Sequence, residues 1–466
     1  MSCSRDNEYQ KVDNTSQSHG FRSNCGTVAL EHEEKRGLSS AHDNERALTQ
    51  NLIEEVCNPK NLNRAYKKVK SNKGSAGIDK LTVREMSSWI AENKEKLISS
   101  LLEGTYRPQA VKGVEIPKAS GGVRQLGIPT VIDRLVQQAI HQVIEPILEK
   151  TFSDFSYGFR PKKSAHQAIK QGAEYVSEGR GIVIDIDLSK FFDRVNHDIL
   201  MSRLARHIED KALLKLVRKF LEAGIMKNGV YQRRKEGTPQ GGPLSPILAN
   251  VILTDLDMEL ERRGHKFCRY ADDCNIYVGS ISAGERVKTS ITNFIEQKLK
   301  LKVNEEKSKV SHVNQRKFLG YRIASDGILV IAPESVKRLK CKIKEITKRN
   351  RGVSFSQVLK EVNNLITGWV TYFRYAQKAT LIRDLSGWIR RKLRCYILKQ
   401  KKRAYTIAKF LIKLGVSEWN AWITANSGKG WWRLSASPSV HHALSNKWFK
   451  NMGYIDPFER YRALQN

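Results

Sequence analysis

Two adjacent carboxylates, Asp272-Asp273, stand at a turn between the short apolar runs Phe267–Arg269 and Asn275–Val278. A third, Asp187, closes the β-branched run Gly181–Leu188. Joining a nucleotide to a 3′-hydroxyl requires in-line attack on the α-phosphate. Two Mg²⁺ ions about 3.5–4 Å apart stabilise both the attacking and the leaving oxygen. Magnesium takes hard oxygen ligands and keeps substrate phosphates in its shell. Two or three aspartates on rigid strand ends meet that need, and neighbouring strands of one sheet would bring these three together. An isolated Asp-Asp pair is usually a solvated turn. The specificity here lies in the frame Tyr270-Ala271-Asp272-Asp273, preceded by the run from Asp185 to Asp193. Asp185 shares a strand face with Asp187 by alternation, as a second-choice ligand or a structural carboxylate.

Such ligands need a scaffold. Gly181–Leu188 is short, β-branched and bounded by glycine, which predicts a buried strand. Phe267–Arg269 and Asn275–Val278 predict a β-hairpin. Upstream, Val114–Thr130 reads as extended, with Gly121-Gly122 as its turn and Pro117 and Pro129 as punctuation. Helices are predicted over Val131–Glu149, Ser164–Glu178, His197–His207 and Lys211–Ala223. Helical patterning begins near Leu48 and breaks at Asn72–Gly77. Residues 1–46 are polar and weakly periodic, which predicts a disordered or loosely attached segment.

The 466-residue chain exceeds the size at which one core stops growing, about 250–300 residues, so two or more domains are expected. Its formal net charge is +33, from 81 Lys and Arg against 48 Asp and Glu. Self-repulsion on that scale points to a polyanionic partner, and Lys and Arg contacts to phosphate give sequence-blind, salt-sensitive binding. Between Lys337 and Phe410 there are 21 Lys and Arg against 3 Asp and Glu, with apolar residues at helical spacing. That predicts a basic helical domain. Aromatics interleave with its cations, as in Trp369, Tyr372 to Tyr375 and Trp388 to Arg394. No run of about 20 apolar residues suggests a membrane span, and no apolar signal-peptide core begins the chain. The seven cysteines form no C-x-x-C pair, which fits a reducing, cytoplasmic setting.

Taken in order, the motifs resemble those of reverse transcriptases encoded by bacterial group II introns, also called maturases. The resemblance runs from about Leu62 to the C-terminus. It rests on Asn72-Lys73-Gly74-Ser75-Ala76-Gly77-Ile78-Asp79, Ile116-Pro117-Lys118, Gly121-Gly122-Val123-Arg124 and Leu126-Gly127-Ile128-Pro129-Thr130. Further blocks are Ser156-Tyr157-Gly158-Phe159-Arg160-Pro161, Gly237-Thr238-Pro239-Gln240-Gly241-Gly242-Pro243-Leu244-Ser245-Pro246 and Phe318-Leu319-Gly320-Tyr321, beside the two aspartate motifs. The segment Asn364–Phe373 resembles the maturase-specific thumb.

The resemblance implies an α+β right-hand polymerase: fingers and a palm with an antiparallel sheet, followed by an all-helical thumb. The expected organisation is an N-terminal extension and fingers over 47–180, a palm over 181–330, a thumb over 331–410 and a nucleic-acid-binding segment over 411–466. Asp187, Asp272 and Asp273 would hold two Mg²⁺ ions, with Mn²⁺ able to substitute. Phe192, five residues after Asp187, would crowd the sugar's 2′ position, or else is simply core. Lys118 and Arg124 would reach the triphosphate if their hairpin folds over the site, and Arg suits phosphate by its planar fork. Gln240 would touch the incoming nucleotide, its glycine neighbours letting backbone approach closely. Lys307 would protonate the departing pyrophosphate.

Implied partners are dNTPs, an RNA template with a DNA primer, the parent group II intron RNA and target DNA. The Ser427–Arg433 stretch is a candidate nucleic-acid segment. The Cys and His pattern of the nuclease domain that ends many family members is missing, so second-strand cleavage is not expected. Two alternatives stay open: a splicing-only RNA-binding maturase, and a domesticated relative serving defence or repair.

Overall fold

The computed structural model describes residues 49–117, 121–227 and 229–465. The segment 1–46, Leu48 and Lys118 lie outside the described residues. The first sheet opens with β1 (Val111–Pro117) and β2 (Val123–Ile128), an antiparallel hairpin in which Pro117 faces Val123. Gly121 and Gly122 close it at φ 88° and 80°, a region that glycine enters without steric cost. The buried run before Asp187 forms β3 (Ile182–Ile186). Two short strands, β4 (Ile225–Lys227) and β5 (Val230–Gln232), extend the first sheet in the order β2-β1-β4-β5. The β1–β4 pair is parallel, so this sheet is mixed where the sequence suggested only a hairpin.

The second sheet is antiparallel throughout. It consists of β6 (Lys266–Tyr270), β7 (Asp273–Val278), β3 and β8 (Lys309–His312), in the order β6-β7-β3-β8. A separate ribbon pairs β9 (Tyr321–Ile323) with β10 (Leu329–Ile331). The helices predicted from spacing are present at Val131–Glu149, Ala165–Ser177, His197–Leu204 and Lys211–Glu222, within a few residues of the expected ends. Their starts follow from side-chain caps. Thr130, Ser164, Asn196 and Asp210 each accept a backbone N–H of the first turn. The helices Ser245–Arg262 and Ile281–Lys298 pack on the second sheet.

That sheet lies between two hydrophobic cores, and strand alternation assigns its faces. Ile184, Ile186, Cys274 and Ile276 join a core that runs from Leu52 to Val303. Val183 and Tyr277 face the other way, into a core continuing through the helices Pro333–Ile346, Phe355–Tyr372 and Ala379–Lys401. The first core spans both sides of residue 180. The second takes in Leu434, Phe449 and Tyr461, so residues 411–465 pack on the basic helices instead of forming a separate body. Among the described residues no helix is long and apolar enough to cross a membrane.

Candidate active site

Sheet register brings the three aspartates to one edge. The β3–β7 pairing runs from Ile182 facing Val278 to Ile186 facing Cys274. The pairing ends there, so Asp187 directly follows one strand and Asp273 begins the other at the same edge, close enough for the Asp187 charge to act on both Asp272 and Asp273. β6 and β7 close through Tyr270 facing Asp273, with Ala271-Asp272 as the two-residue loop. Ala271 sits at φ 58°, a left-handed conformation that costs a residue with a Cβ and that two-residue hairpin turns demand. The segment after β3 is held from the other side. Ser308 Oγ accepts the Asp187 N–H at 3.0 Å, and the Asp187 carbonyl accepts the Asn304 N–H at 2.8 Å.

The electrostatics follow from crowding. Burial raises the Asp272 carboxyl above the usual range and Asp187 adds repulsion, while Arg124 and Arg269 oppose the shift. Asp273 is exposed by surface area, yet the protein around its carboxyl desolvates it. With repulsion from Asp185, Asp272 and Asp187, this pushes it up to about 7. Asp185 is committed elsewhere: it pairs with Arg316, whose guanidinium also donates to the Lys307 carbonyl at 2.9 Å. It is therefore the structural carboxylate of the two strand aspartates. Lys307 Nζ lies 3.5 Å from Asp187 Oδ2, so a lysine from a polar, mostly exposed run reaches the aspartate edge.

Among the described residues no group of three or more His, Cys, Asp or Glu side chains forms a ready-made metal cluster. The donor set still fits a divalent ion. The oxygens are hard, the carboxylates repel one another, and Mg²⁺ binds through one or two carboxylates plus substrate phosphates rather than in an all-protein cage.

The nucleotide-facing candidates converge from other elements. Arg124 on β2 donates from Nε to Gln240 Oε1 at 2.6 Å, joining the first sheet to the glycine-rich segment. The backbone of that segment runs close to its neighbours. A Cβ at Gly237 would lie 2.8 Å from the Phe192 carbonyl, and one at Gly241 would lie 2.7 Å from that of Gly127. Thr238 N–H donates to the Phe192 carbonyl at 2.6 Å. Phe192 itself is buried at 9% exposure, edge-on to Phe191 at 5.1 Å.

A buried polar network beneath the turn escaped sequence reasoning. Arg269, wholly buried, donates to both oxygens of wholly buried Asp257, at 2.7 and 2.5 Å. Its Nη1 reaches Asn250 Oδ1 and the Ala271 carbonyl, each at 3.0 Å. Asn250 Nδ2 donates in turn to the Gly158 carbonyl at 2.9 Å. Gly158 lies directly on the turn, where a Cβ would stand 2.3 Å from the Ala271 nitrogen. The loop carrying Asp272 and Asp273 is thus fixed from below by one guanidinium and from the side by one glycine. A signal did exist. Asn250 and Asp257 are seven apart on an otherwise apolar helix face, and Arg269 lies in a strand buried on both sides.

Comparison with known proteins agrees with this geometry. The profile of the family "Reverse transcriptase (RNA-dependent DNA polymerase)" matches residues 116–323, and that of the "Group II intron, maturase-specific domain" matches residues 336–412. Protein YkfC of Escherichia coli K12 is 34% identical over 315 residues, covering 59% of this chain and 83% of YkfC. The group II intron-encoded protein LtrA of Lactococcus lactis is 33% identical over 332 residues, covering 56% of this chain and 54% of LtrA. The chain belongs to the group II intron-encoded reverse transcriptase/maturase family. A putative COX1/OXI3 intron 1 protein of Saccharomyces cerevisiae is 29% identical, over 60% of this chain and 40% of that protein. The matched regions of these intron proteins are about half of their length or less. We refer to the β6-β7-β3-β8 sheet as the palm, to the β1–β2 hairpin as the fingers and to the helices from Pro333, most of whose residues fall in the maturase-specific match, as the thumb.

Proposed function

We propose that the chain copies RNA into DNA by nucleotidyl transfer at Asp187, Asp272 and Asp273, and that its thumb holds intron RNA for splicing and mobility. The observation that supports this reading is the β3–β7 pairing, which ends at Ile186 facing Cys274, with Asp187 and the Asp272-Asp273 turn at that same edge. Two Mg²⁺ ions, or Mn²⁺ in their place, would supply charge stabilisation at the attacking and leaving oxygens. The chain's residues do the rest. Asp187, Asp272 and Asp273 offer hard oxygens at a fixed turn. Lys307, 3.5 Å from Asp187 and mostly exposed, is placed to give a proton to the departing pyrophosphate. Arg124 binds the triphosphate from the β1–β2 hairpin, and Lys118 is the second cation the sequence offers for that role.

Gln240 holds Arg124 and, with Gly241, offers backbone to the incoming nucleotide. Phe192 stands behind the sugar position and disfavours a 2′-hydroxyl. The basic thumb follows the template–primer hybrid through sequence-blind backbone contacts. Its partners are thus dNTPs, an RNA template with a DNA primer, intron RNA and, for mobility, target DNA. Primer extension on an RNA template with Mg²⁺ tests the reading: it yields DNA product, whereas a protein that only assists splicing yields none.

A further inference from the structure

The helix Ala379–Lys401 and the turn Gly430–Arg433 enclose a cavity of about 490 Å³, whose rim also takes in Thr347 and Arg349. Three cations line it, Arg349, Lys392 and Arg433, and no carboxylate does. Among the described residues none of the three has a carboxylate partner, unlike Arg390 on the same helix or Arg269 and Arg316 in the palm. The adjoining Arg391 guanidinium stacks 4.0 Å from the centre of the Trp432 ring and donates to the Trp432 carbonyl at 3.0 Å. Its buried Nε has no partner. Lys392 Nζ lies 4.6 Å from the same ring centre. Burial lowers the Lys392 ammonium below its ordinary range, and the charges of Lys344, Arg349 and Arg391 add to the shift while Cys395 opposes it.

Uncompensated cations held around an indole cost self-repulsion that an anionic ligand relieves. The aromatic component narrows the ligand further. Unstacked bases bind on aromatic rings and guanidinium planes while cations take the phosphate, which is how single-stranded nucleic acid is gripped. The volume lies in the range of small-ligand sites and suits a single nucleotide.

We propose that this cavity is a discrete site for one unpaired nucleotide of a single strand, its phosphate on Arg349, Lys392 and Arg433 and its base against the Trp432–Arg391 stack. The inference deepens the reading of the thumb as an RNA-binding element and rests on it. It adds that the C-terminal turn completes the site, so residues inside the maturase-specific match and residues beyond it act together.

The test measures binding of labelled single-stranded RNA, single-stranded DNA of the same sequence and duplex RNA to the full chain across a salt series. The variants are Arg349→Gln with Lys392→Gln, Trp432→Leu, and a control pair, Lys94→Gln with Lys96→Gln, on a distant exposed helix. Each lost phosphate contact on a single strand removes about 0.7 from the log–log salt slope, so the site pair lowers it by about 1.4. Trp432→Leu weakens single strands by about ten-fold without changing that slope. Duplex affinity holds, and Arg349→Lys with Lys392→Arg restores the slope. A larger loss on RNA than on DNA assigns the nucleotide to RNA, and the reverse assigns it to DNA. Equal slope changes from the control pair, an equal loss on duplex, or an indifferent Trp432→Leu would overturn the site while leaving the thumb reading intact. A wild-type chain that binds no nucleic acid would overturn both.

Discussion

The palm and the thumb differ in how many of their cations they leave unpaired. In the palm, cations are spent on the protein itself: Arg269 on Asp257, Arg316 on Asp185, Lys307 against Asp187. The thumb also pairs some cations, Arg351 with Glu361 and Arg390 with Asp456, yet among the described residues Lys340, Lys392 and Arg349 have no carboxylate partner. The difference separates two tasks. A site that must place reacting groups within a fraction of an ångström needs its charges locked. A surface that follows a polyanion needs its charges free, because counterion release supplies the affinity.

The largest expected effect comes from unlocking the palm. Asp257→Ala leaves Arg269 buried and unpaired, which costs about 3–5 kcal/mol of stability. Thermal and urea unfolding check this; a loss of under 1 kcal/mol would mean the network is decorative. Lys392→Gln in the thumb serves as the contrast and changes stability little.

Next comes a displacement without a lost charge. Gly158→Ala puts a methyl 2.3 Å from the Ala271 nitrogen, so the turn must move. A shift of about 1 Å at reacting groups costs on the order of 100-fold in rate. The variant should stay folded, bind template–primer normally and extend it slowly, as single-turnover kinetics would show. Wild-type rates would mean the turn tolerates motion.

On the thumb side, RNA affinity should fall steeply with salt, in proportion to the phosphates held. A flat titration between low and moderate salt would erase the contrast between the regions.

The smallest effect is a pH dependence in metal-free protein. Asp273 has a native pKa raised to about 7 from an unfolded value of about 3.9. Between those values the native state binds more protons than the unfolded state, so stability falls as pH rises through that window. Asp273→Asn removes the penalty. Its melting temperature should exceed that of wild type by a few degrees above about pH 7, and the gap should close below about pH 4. A gap that does not vary with pH would deny the crowding of carboxylates.

How much of this was legible in the sequence depended on whether a residue's partner lay in a local pattern. Asp187, Asp272 and Asp273 could be proposed because strand, turn and strand were each written locally, and the pairing of β3 with β7 brings their strand ends to one edge. The Arg124–Gln240 bond could be suspected only from two separate motifs, since the residues are 116 positions apart. The Arg269–Asp257–Asn250 network was not read at all. An arginine in a strand looks like a solvated edge until both sheet faces are known to be buried. Lys307 had the opposite problem, a polar run that resembles surface, and it reaches Asp187 only because the chain at Leu188 pairs with Val303. The parallel β1–β4 pair was illegible for the same reason: three-residue strands carry no pattern of their own.

The most direct test is dNTP incorporation on an RNA template with Mg²⁺, wild type beside Asp272→Ala, with RNA binding measured on the same preparations. Polymerisation should fall by three orders of magnitude or more, on the order of the several kcal/mol a metal site supplies, while RNA affinity stays within about two-fold. A folded Asp272→Ala protein that still extends the primer at the wild-type rate would contradict the account.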